Sequence, residues 1–393
     1  MTKRGHSAVL GAAFLMATSA IGPGFLTQTA KFTGQLGASF GFAILVSVAF
    51  DLVAQLTIWR VVIGSGLRAQ VAANGVVPGL GHLLSVLVGF GGLAFNVGNV
   101  AGAGLGLNVI FGLDVRLGAA ISAAIGIGIF LVKDAGRAMD WFAQLLGGLM
   151  VLVAGYVAVA AAPPVGEAII RTVLPTQIDP AAIVTIVGGT VGGYITFAGA
   201  HRLLEAGLVG PVAFPQAIRS ATLGIGVASL MRVVLFLGAL GVVTHAGPAA
   251  IDPANPPASV FRAAAGELGY RFFGVVMWAA AITSVVGSAF TSVSFLRTLK
   301  ASWESAVRPM IVGFIAVSTV IFLAIGNPVR ILIVVGAING MILPVGLITM
   351  VLAARQPSHR DQVRLHPLLA AAAVAVALMM AELGRRSIVG LFS

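Results

Sequence analysis

Long apolar runs fill most of this sequence and are separated by shorter polar connections. A run of about 20 apolar residues is long enough to cross the hydrocarbon core of a bilayer as a helix, and by that measure the chain has about eleven such segments. They lie near residues 8–36, 38–63, 81–111, 117–132, 138–161, 182–200, 220–244, 272–296, 309–325, 329–353 and 367–384. The pattern predicts an all-α membrane protein with about eleven transmembrane helices.

The connections between these segments show no separate soluble domain. The two longest, 162–181 and 245–271, hold most of the prolines that lie outside the predicted helices, and 201–219 and 354–366 are predicted to be short polar loops. Composition does not change along the chain. We therefore expect a single transmembrane domain over residues 1–393.

The composition agrees with a lipid environment. Of the 393 residues, 59% are hydrophobic and only 9% are charged, whereas about a quarter of a soluble domain is charged. Such a chain could not cover its surface with solvated groups in water. The 51 glycines fit the same environment, because small residues let membrane helices approach closely.

Composition also excludes several kinds of chemistry. The chain has no cysteine, which excludes disulfides, thiolate nucleophiles and cysteine metal sites. Paired carboxylates and nucleophile–base motifs are absent from the sequence as well, so we expect neither an enzyme nor a cofactor. The net charge is +11, but the basic residues occur singly between apolar runs. This distribution is typical of topology signals and not of a nucleic-acid partner.

The basic residues predict an orientation. With the N-terminus placed inside, the cytoplasmic loops hold fourteen of the 23 lysines and arginines and the outer loops hold seven, while Lys31 and Arg232 fall within helices. Cytoplasmic loops of membrane proteins carry an excess of these residues. We therefore expect a protein of the plasma (inner) membrane with a cytoplasmic N-terminus and an outer C-terminus.

Two segments are interrupted by helix breakers. The first contains SAIGPGF at 19–25 and the sixth contains GGTVGGY at 188–194. Glycine disfavours a helix interior by about 1 kcal/mol and proline by about 3. Backbone freed at membrane depth must line a cavity or be buried in protein, because lipid offers no hydrogen bonds. The alternative is that these glycines only allow close packing.

The two breaks occupy matching places, each in the first helix of a set of five. An odd number of helices per set makes the two sets run in opposite directions across the membrane. This arrangement is typical of inverted-repeat transporters with a midplane site. It predicts repeats at about 8–161 and 182–353 and an extra helix at about 367–384.

Three motifs resemble the NRAMP (natural resistance-associated macrophage protein) family of divalent-metal transporters. The Gly-Pro-Gly at 22–24 and the Ala-Ser-Phe-Gly-Phe at 38–42 resemble that family's first helix, with its Asp-Pro-Gly-Asn break. Residues 189–194 are similar to its sixth helix, and 96–102 to its third. The resemblance implies a LeuT-type fold, in which five helices are repeated in inverted orientation, and a secondary transporter working by alternating access.

This chain departs from the family at its metal site, which makes it a divergent member. The family's metal-binding aspartate falls on Gly22, its asparagine on Phe25 and its methionine on Gly192. The carboxylates of its third-helix proton pathway fall on Asn96 and Asn99. A divalent cation needs oxygen, nitrogen or sulfur ligands and some negative charge. We therefore expect no metal site here.

The altered positions favour a small organic solute, such as a carboxylate or an amide. Phe25 and Tyr194 place aromatic surface beside the breaks, and the amides after Gly24 form a positive helix end that receives anionic groups. Alternatively, the aromatic side chains are packing and the polar groups satisfy the broken backbone. The predicted substrate-binding residues are Gly22, Gly24, Phe25, Gln28, Thr29, Thr190, Gly192, Gly193 and Tyr194.

Five polar residues within helices are candidates for ion coupling or for the solute pathway. Lys31 either attracts an anion or extends to the outer interface. Asp51 is either a protonation site or the structural partner of Arg232. Asn96 and Asn99 share a helix face and either line a water path or join helices.

His201 and Glu205 follow the sixth segment with an i, i+4 spacing, which suits a ligand pair or a salt-linked pair. A metal site needs three or four ligands, and no others are near in sequence. We expect a solvated gate or loop anchor there.

The sequence thus predicts a carrier whose partners are a small solute and the lipid bilayer, without nucleic acid. The alternative is a divalent-metal transporter for a Mg-like ion or for Mn/Fe, which would use backbone carbonyls and a hydrated ion. Magnesium suits this alternative better than manganese because it keeps its waters. A channel is disfavoured, because broken helices argue against a continuous pore.

Overall fold

The computed structural model describes residues 11, 13, 16, 17, 19–131 and 135–389. The remaining positions of the first predicted segment, together with Lys3 and Arg4, lie outside the described residues. The described chain forms fifteen α-helices joined by short connections. In chain order they are α1 (Pro23–Leu36), α2 (Phe40–Ser65), α3 (Ala69–Val76), α4 (Leu80–Phe111), α5 (Val115–Leu131), α6 (Ala135–Ala160), α7 (Val165–Val173), α8 (Pro180–Val191), α9 (Ile195–Glu205), α10 (Phe214–Ala246), α11 (Pro256–Leu296), α12 (Val307–Ile325), α13 (Pro328–Ala354), α14 (Arg360–Val363) and α15 (Pro367–Val389).

The predicted all-helical membrane architecture is confirmed. Within the described residues, eight stretches are long and apolar enough to cross a membrane, or nine if the bent pair Gly147–Ala160 and Val165–Val173 forms one span. One of the eight, Pro23–Ser65, contains both α1 and α2, and α5 is a shorter apolar helix. Each of the predicted apolar segments therefore overlaps at least one helix of the structure.

The predicted connections are less accurate than the predicted spans. Residues 245–271 do not form one long loop, because α11 begins at Pro256. Proline suits the first turn of a helix, where its missing N–H is not needed. The connection at 162–181 contains α7, and the polar connection at 201–219 contains the end of α9 and the start of α10. Hydropathy does not detect these parts because they lie outside the apolar runs.

Both predicted helix breaks are present. Ile21 and Gly22 leave the helical conformation before α1, and Gly22 is extended (φ −101°, ψ −176°). The second break covers 192–194, between α8 and α9, and Gly193 has a positive φ of +53°. It is shorter than the predicted stretch, because Gly188 and Gly189 remain in α8. Packing of α8 inside the protein overrides the low helix propensity of glycine there.

The broken helices lie at the centre of the bundle. Helix α1 contacts α4, α8, α10, α11 and α13, while α8 also packs against α2 and along the length of α13. Helix α11 packs along α4, and α10 packs against α2. Both breaks are therefore surrounded by protein, as unsatisfied backbone at membrane depth requires.

Helices α8 and α13 meet backbone to backbone. A β-carbon at Gly188 would overlap the carbonyl oxygen of Gly336 and the amide nitrogen of Gly340. A β-carbon at Gly340 would in turn overlap the carbonyl oxygen of Val184. Glycine at these positions allows the close approach that membrane helices need for packing, and it fixes α8 and the second break against α13.

This contact predicts that Gly188→Leu destabilises the protein. Overpacking of a core costs about 1–3 kcal/mol, and here the obstructing atoms are backbone atoms that cannot rotate away. We expect the detergent-solubilised variant to melt several degrees below wild type in a fluorescence thermal-unfolding assay. The control is Gly128→Leu, because Gly128 is an exposed position of α5 with open space around it. Equal melting of the two variants would contradict the packing interpretation.

Candidate functional site

The first break faces the side chains of α4 and α11. A β-carbon at Gly22 would lie 3.6 Å from Oδ1 of Asn99 and 3.6 Å from Oγ of Ser284. Asn99 is only 4% exposed and Ser284 only 6%. The extended backbone at Gly22 is therefore lined by neutral polar groups that are sheltered from solvent and lipid.

The second break meets the same polar side chains. Tyr194 is buried, and its ring packs edge-on against Phe95 with 5.5 Å between the ring centroids. Its hydroxyl interacts with the side chains of Ser288 and Asn99. Asn99 thus lies between the two breaks, and its amide nitrogen has no hydrogen-bond partner among the described residues.

A chain of hydrogen bonds continues from this point into the helices behind it. The Ser288 hydroxyl donates to Oδ1 of Asn96 at 3.0 Å, and Nδ2 of Asn96 donates to the Ser318 hydroxyl at 3.0 Å. These bonds join α11, α4 and α12. Asn96 therefore has the contacts of an inter-helix link, one of the two interpretations open from sequence.

Gln28 connects α1 to the other side of the site. Its Nε2 donates to the carbonyl oxygen of Leu332 at 2.9 Å, whereas Oε1 has no partner although the side chain is fully buried. A β-carbon at Gly189 would lie 2.5 Å from that Oε1, and one at Gly336 would lie 2.5 Å from Nε2. The two glycines thus make room for the amide between α8 and α13.

Thr29 and Thr190 direct their hydroxyls into their own helices. The Thr29 hydroxyl donates to the carbonyl oxygen of Phe25 at 2.8 Å, and that of Thr190 donates to the carbonyl oxygen of Ile186 at 2.8 Å. Both predicted substrate residues are buried, Thr190 directly before the second break and Thr29 about two turns beyond the first. Their oxygens remain available as acceptors for a second hydrogen bond.

Phe25 faces a buried charge cluster formed with α2, α8 and α10. The guanidinium carbon of Arg232 lies 4.0 Å from the centre of the Phe25 ring, and Nη1 of Arg232 donates to the carbonyl oxygen of Ile186 at 3.3 Å. Asp51 interacts electrostatically with Arg232 and accepts a hydrogen bond from the Ser47 hydroxyl at 3.1 Å. The structure therefore brings together Asp51 and Arg232, which are far apart in sequence.

The predicted residues are thus divided among three neighbouring contacts. Gly22 and Tyr194 face Asn99, Gly24 and Gln28 face Leu332, and Phe25 faces Arg232. Lys31 is only partly buried and lies beyond this group on α1. The predicted residues Gly192 and Gly193 lie against the backbone and the side chain of Asn339, respectively.

Asn339 is a residue of this site that sequence reasoning missed. It is fully buried in α13 and donates through Nδ2 to the carbonyl oxygens of Gly91 and Val335. A β-carbon at Gly193 would overlap its Oδ1, which has no partner. An asparagine within an otherwise apolar span was the available signal, because a polar group there needs a partner.

Of the two expectations for His201, a solvated gate or a loop anchor, the solvated gate is wrong and the structure shows an anchor. His201 is 6% exposed, stacks on Phe295 with 5.0 Å between the ring centroids, and accepts a hydrogen bond at Nε2 from the Ala69 amide at 3.3 Å. Glu205 pairs with Arg68 at 3.2 Å and not with His201. Helix α9 continues through His201 into the region that was expected to be a loop. The histidine is therefore part of a helix, and it anchors the short helix α3 to α9.

The positions that hold metal in the NRAMP pattern carry no side-chain ligand here. Gly22 and Gly192 have no side chain, and Phe25 offers only a ring. Among the described residues, no group of three or more histidine, aspartate or glutamate side chains could hold a metal ion. The polar side chains that face Gly22 and Tyr194 are amides and hydroxyls.

Comparison with known proteins assigns the sequence to a family. The sequence model of the family described as "Natural resistance-associated macrophage protein-like" matches residues 13–389. An uncharacterized membrane protein of Bacillus subtilis, YcsG, is 53% identical over 379 residues, which is 96% of this chain and 93% of the relative. An uncharacterized membrane protein of Haemophilus influenzae is 53% identical over 389 residues, 99% of this chain and 97% of the relative.

Solved structures show the same fold at low sequence identity. A mutant of the manganese transporter of Eremococcus coleocola superposes with a TM-score of 0.76 at 14% identity, covering 98% of this chain and 87% of that one. MhsT, in complex with L-phenylalanine, gives a TM-score of 0.67 at 14% identity, covering 95% and 97%. Mhp1, a nucleobase-cation-symport-1 family transporter, gives 0.64 at 15% identity, covering 98% and 93%.

These neighbours confirm the predicted LeuT-type fold. The family match over almost the whole chain also confirms the expected transport function and excludes the enzyme class. The chain therefore belongs to the natural resistance-associated macrophage protein-like family and is an integral membrane secondary transporter.

Proposed function

We propose that this transporter carries a small organic solute, a carboxylate or an amide, by alternating access. The observation that carries the proposal is the chemistry at the two helix breaks. By the sequence resemblance, Gly22, Phe25 and Gly192 fall at the family's metal-ligand positions. The polar side chains that face Gly22 and Tyr194 are neutral amides and hydroxyls. A molecule that exchanges hydrogen bonds suits this environment better than a cation that must keep its charge balanced.

The start of α1 supports an anionic group on the solute. Gly22 caps this helix without a side chain, Pro23 has no N–H, and the first turn contains no acidic residue. The positive end of the helix dipole is thus uncompensated by the chain itself and is buried against Asn99 and Ser284. Helix N-termini of this kind bind carboxylates, including those of solutes in transporters with broken helices.

The alternative is a divalent metal ion, Mg-like or Mn/Fe, as cargo. It draws support from the fold, because the Eremococcus coleocola neighbour is a manganese transporter, and from the carbonyl groups freed at the breaks. A magnesium ion keeps several waters and needs fewer protein ligands than manganese. The absence of any carboxylate at Gly22, Phe25 and Gly192 argues against both ions.

We propose further that the protein lies in the plasma membrane with its N-terminus in the cytoplasm and its C-terminus outside. The excess of lysine and arginine in alternate loops supports this orientation. The division into inverted repeats at about 8–161 and 182–353 is part of the same proposal, supported by the matching positions of the two breaks.

A thermal-shift screen of the purified protein tests the substrate class. One set of additives contains divalent metals and the other contains small carboxylates, amides and amino acids. A ligand present at 100 times its dissociation constant stabilises the folded state by about 2.7 kcal/mol, which is readily measured as a higher melting temperature. We expect stabilisation by a member of the organic set. Stabilisation by manganese alone, at low concentration, would contradict the proposal.

Proteoliposomes provide a second prediction, that manganese uptake does not exceed uptake into empty vesicles. The physical reason is the missing ligand cage, since a dehydrated cation needs several donor atoms and compensating charge. The manganese transporter of Eremococcus coleocola, reconstituted in parallel, is the positive control. Manganese accumulation by the chain at a rate comparable with that control would overturn the prediction.

A single added carboxylate should not restore metal transport. Gly22→Asp returns an acidic group to the first break, but Phe25 and Gly192 still offer no ligand, and one carboxylate does not complete a coordination shell. We expect manganese uptake by this variant to stay at the level of empty vesicles. Recovery of saturable uptake by Gly22→Asp alone would show that backbone groups supply the other ligands.

A further inference from the structure

A buried cluster of opposite charges lies beside both breaks and has incomplete hydrogen bonding. We define the Arg232 cluster as Phe25, Asp51, Ile186, Thr190 and Arg232. Arg232 is 3% exposed and Asp51 is 1% exposed. Phe25 lies three residues after Gly22, and Thr190 lies in the last turn of α8 before the second break. Movement of either broken helix would therefore change access to the cluster.

The free edge of the Arg232 guanidinium has a specific shape. Nη1 donates to the Ile186 carbonyl oxygen, and the face of the group lies over the Phe25 ring. Nε and Nη2, by contrast, have no hydrogen-bond partner. The N–H groups of Nε and Nη2 point in the same direction and form the fork that binds the two oxygens of a carboxylate. The chain thus presents a bidentate donor that no other group of the described chain satisfies.

Asp51 does not occupy this fork. No nitrogen of Arg232 comes within 4.0 Å of an Asp51 oxygen, although both residues are among those the structure describes and they interact electrostatically at longer range. Oδ2 of Asp51 accepts from the Ser47 hydroxyl, and Oδ1 accepts no hydrogen bond, although the Thr190 hydroxyl, which donates to the Ile186 carbonyl oxygen, lies near the carboxyl group. The cluster therefore contains two unpartnered donor nitrogens and an unpartnered carboxyl oxygen.

Unpaired buried groups of this kind are unfavourable, because each has given up its water without gaining a partner. A molecule with a carboxylate and an N–H group would satisfy both sides at once. An amino acid has both groups, and its ammonium also balances the added negative charge. An N-acylated amino acid also has both groups, but it carries a net negative charge.

We propose that Arg232 binds the carboxylate of the transported solute through its Nε–H and Nη2–H groups, and that Asp51 accepts a hydrogen bond from a nitrogen of the same molecule. This inference rests on the proposed function and deepens it, since it names the class of organic solute and assigns its carboxylate to Arg232 instead of to the start of α1. It predicts recognition of small carboxylates that carry an N–H group, and rejection of molecules that have only one of the two.

The first part of the test uses matched probes on the purified wild-type protein. One set is L-alanine, N-acetyl-L-alanine, L-alaninamide and propionate. The second set is L-phenylalanine, N-acetyl-L-phenylalanine, L-phenylalaninamide and 3-phenylpropionate. We expect a thermal shift from the amino acid or its N-acetyl form in at least one set. The amide and the acid without nitrogen should bind at least tenfold more weakly. Equal binding of the amide would overturn the role of Arg232.

The second part uses variants at the fork. Arg232→Lys keeps the charge but cannot form two parallel hydrogen bonds, and we expect its affinity for the binding probe to fall at least about 30-fold. Arg219→Lys is the matched control, because Arg219 is an exposed arginine of the same helix. Its affinity should equal that of wild type. Unchanged affinity in Arg232→Lys would overturn the proposal.

A third variant separates binding from folding. A single neutral substitution leaves the opposite charge buried without compensation, so Asp51→Asn/Arg232→Gln removes both charges together. We expect this double variant to melt cooperatively and to lose the response to the probe. A cooperatively folded double variant that binds as wild type would show that the charges are only structural.

Failure of this inference can be told apart from failure of the proposed function. If other organic solutes stabilise the wild type in the broad screen but none of the eight probes does, the proposed function stands and the Arg232 anchor is overturned. If only metals act, both fail. Uptake of the binding probe into proteoliposomes that is lost in Arg232→Lys and kept in Arg219→Lys would support both.

Discussion

The rest of this structure depends on one constraint, the need to satisfy backbone groups that two broken helices release inside a membrane. Lipid offers no hydrogen bonds, so both breaks must be enclosed by protein. Helix α1 is accordingly surrounded by five other helices, and α8 is fixed against α13 by glycines that let the two backbones touch. The polar side chains of α4 and α11 converge on the same place. Stability and the location of the site thus follow from the same requirement.

The enclosure by protein also determines which polar groups surround the breaks. Amides and hydroxyls satisfy a broken backbone without adding charge, and they leave the positive end of α1 uncompensated. Two buried charged residues are also present: Arg232 of α10 lies over the Phe25 ring of α1, and Asp51 of α2 interacts with Arg232 at longer range. Opposite charges buried near each other without pairing are a weak source of stability, because desolvation offsets the attraction.

Comparison with the structural neighbours separates fold from chemistry. At 14–15% identity this chain shares its fold with a manganese transporter, with a protein that was crystallised with L-phenylalanine and with a nucleobase-cation-symport-1 family transporter. One fold thus accommodates very different molecules, as expected where a fold hosts several functions. The fold alone therefore does not identify the molecule that this chain carries.

The sequence by itself determined the membrane class, the helical spans, the two breaks and the absence of ligands at Gly22, Phe25 and Gly192, because apolar length and backbone propensity are local properties. It also named Asp51 and Arg232 as intramembrane charges. Only the tertiary structure decided that they lie near each other without pairing, that Asn99 lies between the breaks, and that Asn339 and His201 are buried. The physical reason is that these facts depend on how helices distant in sequence pack, and hydropathy contains no information about which helix faces are in contact.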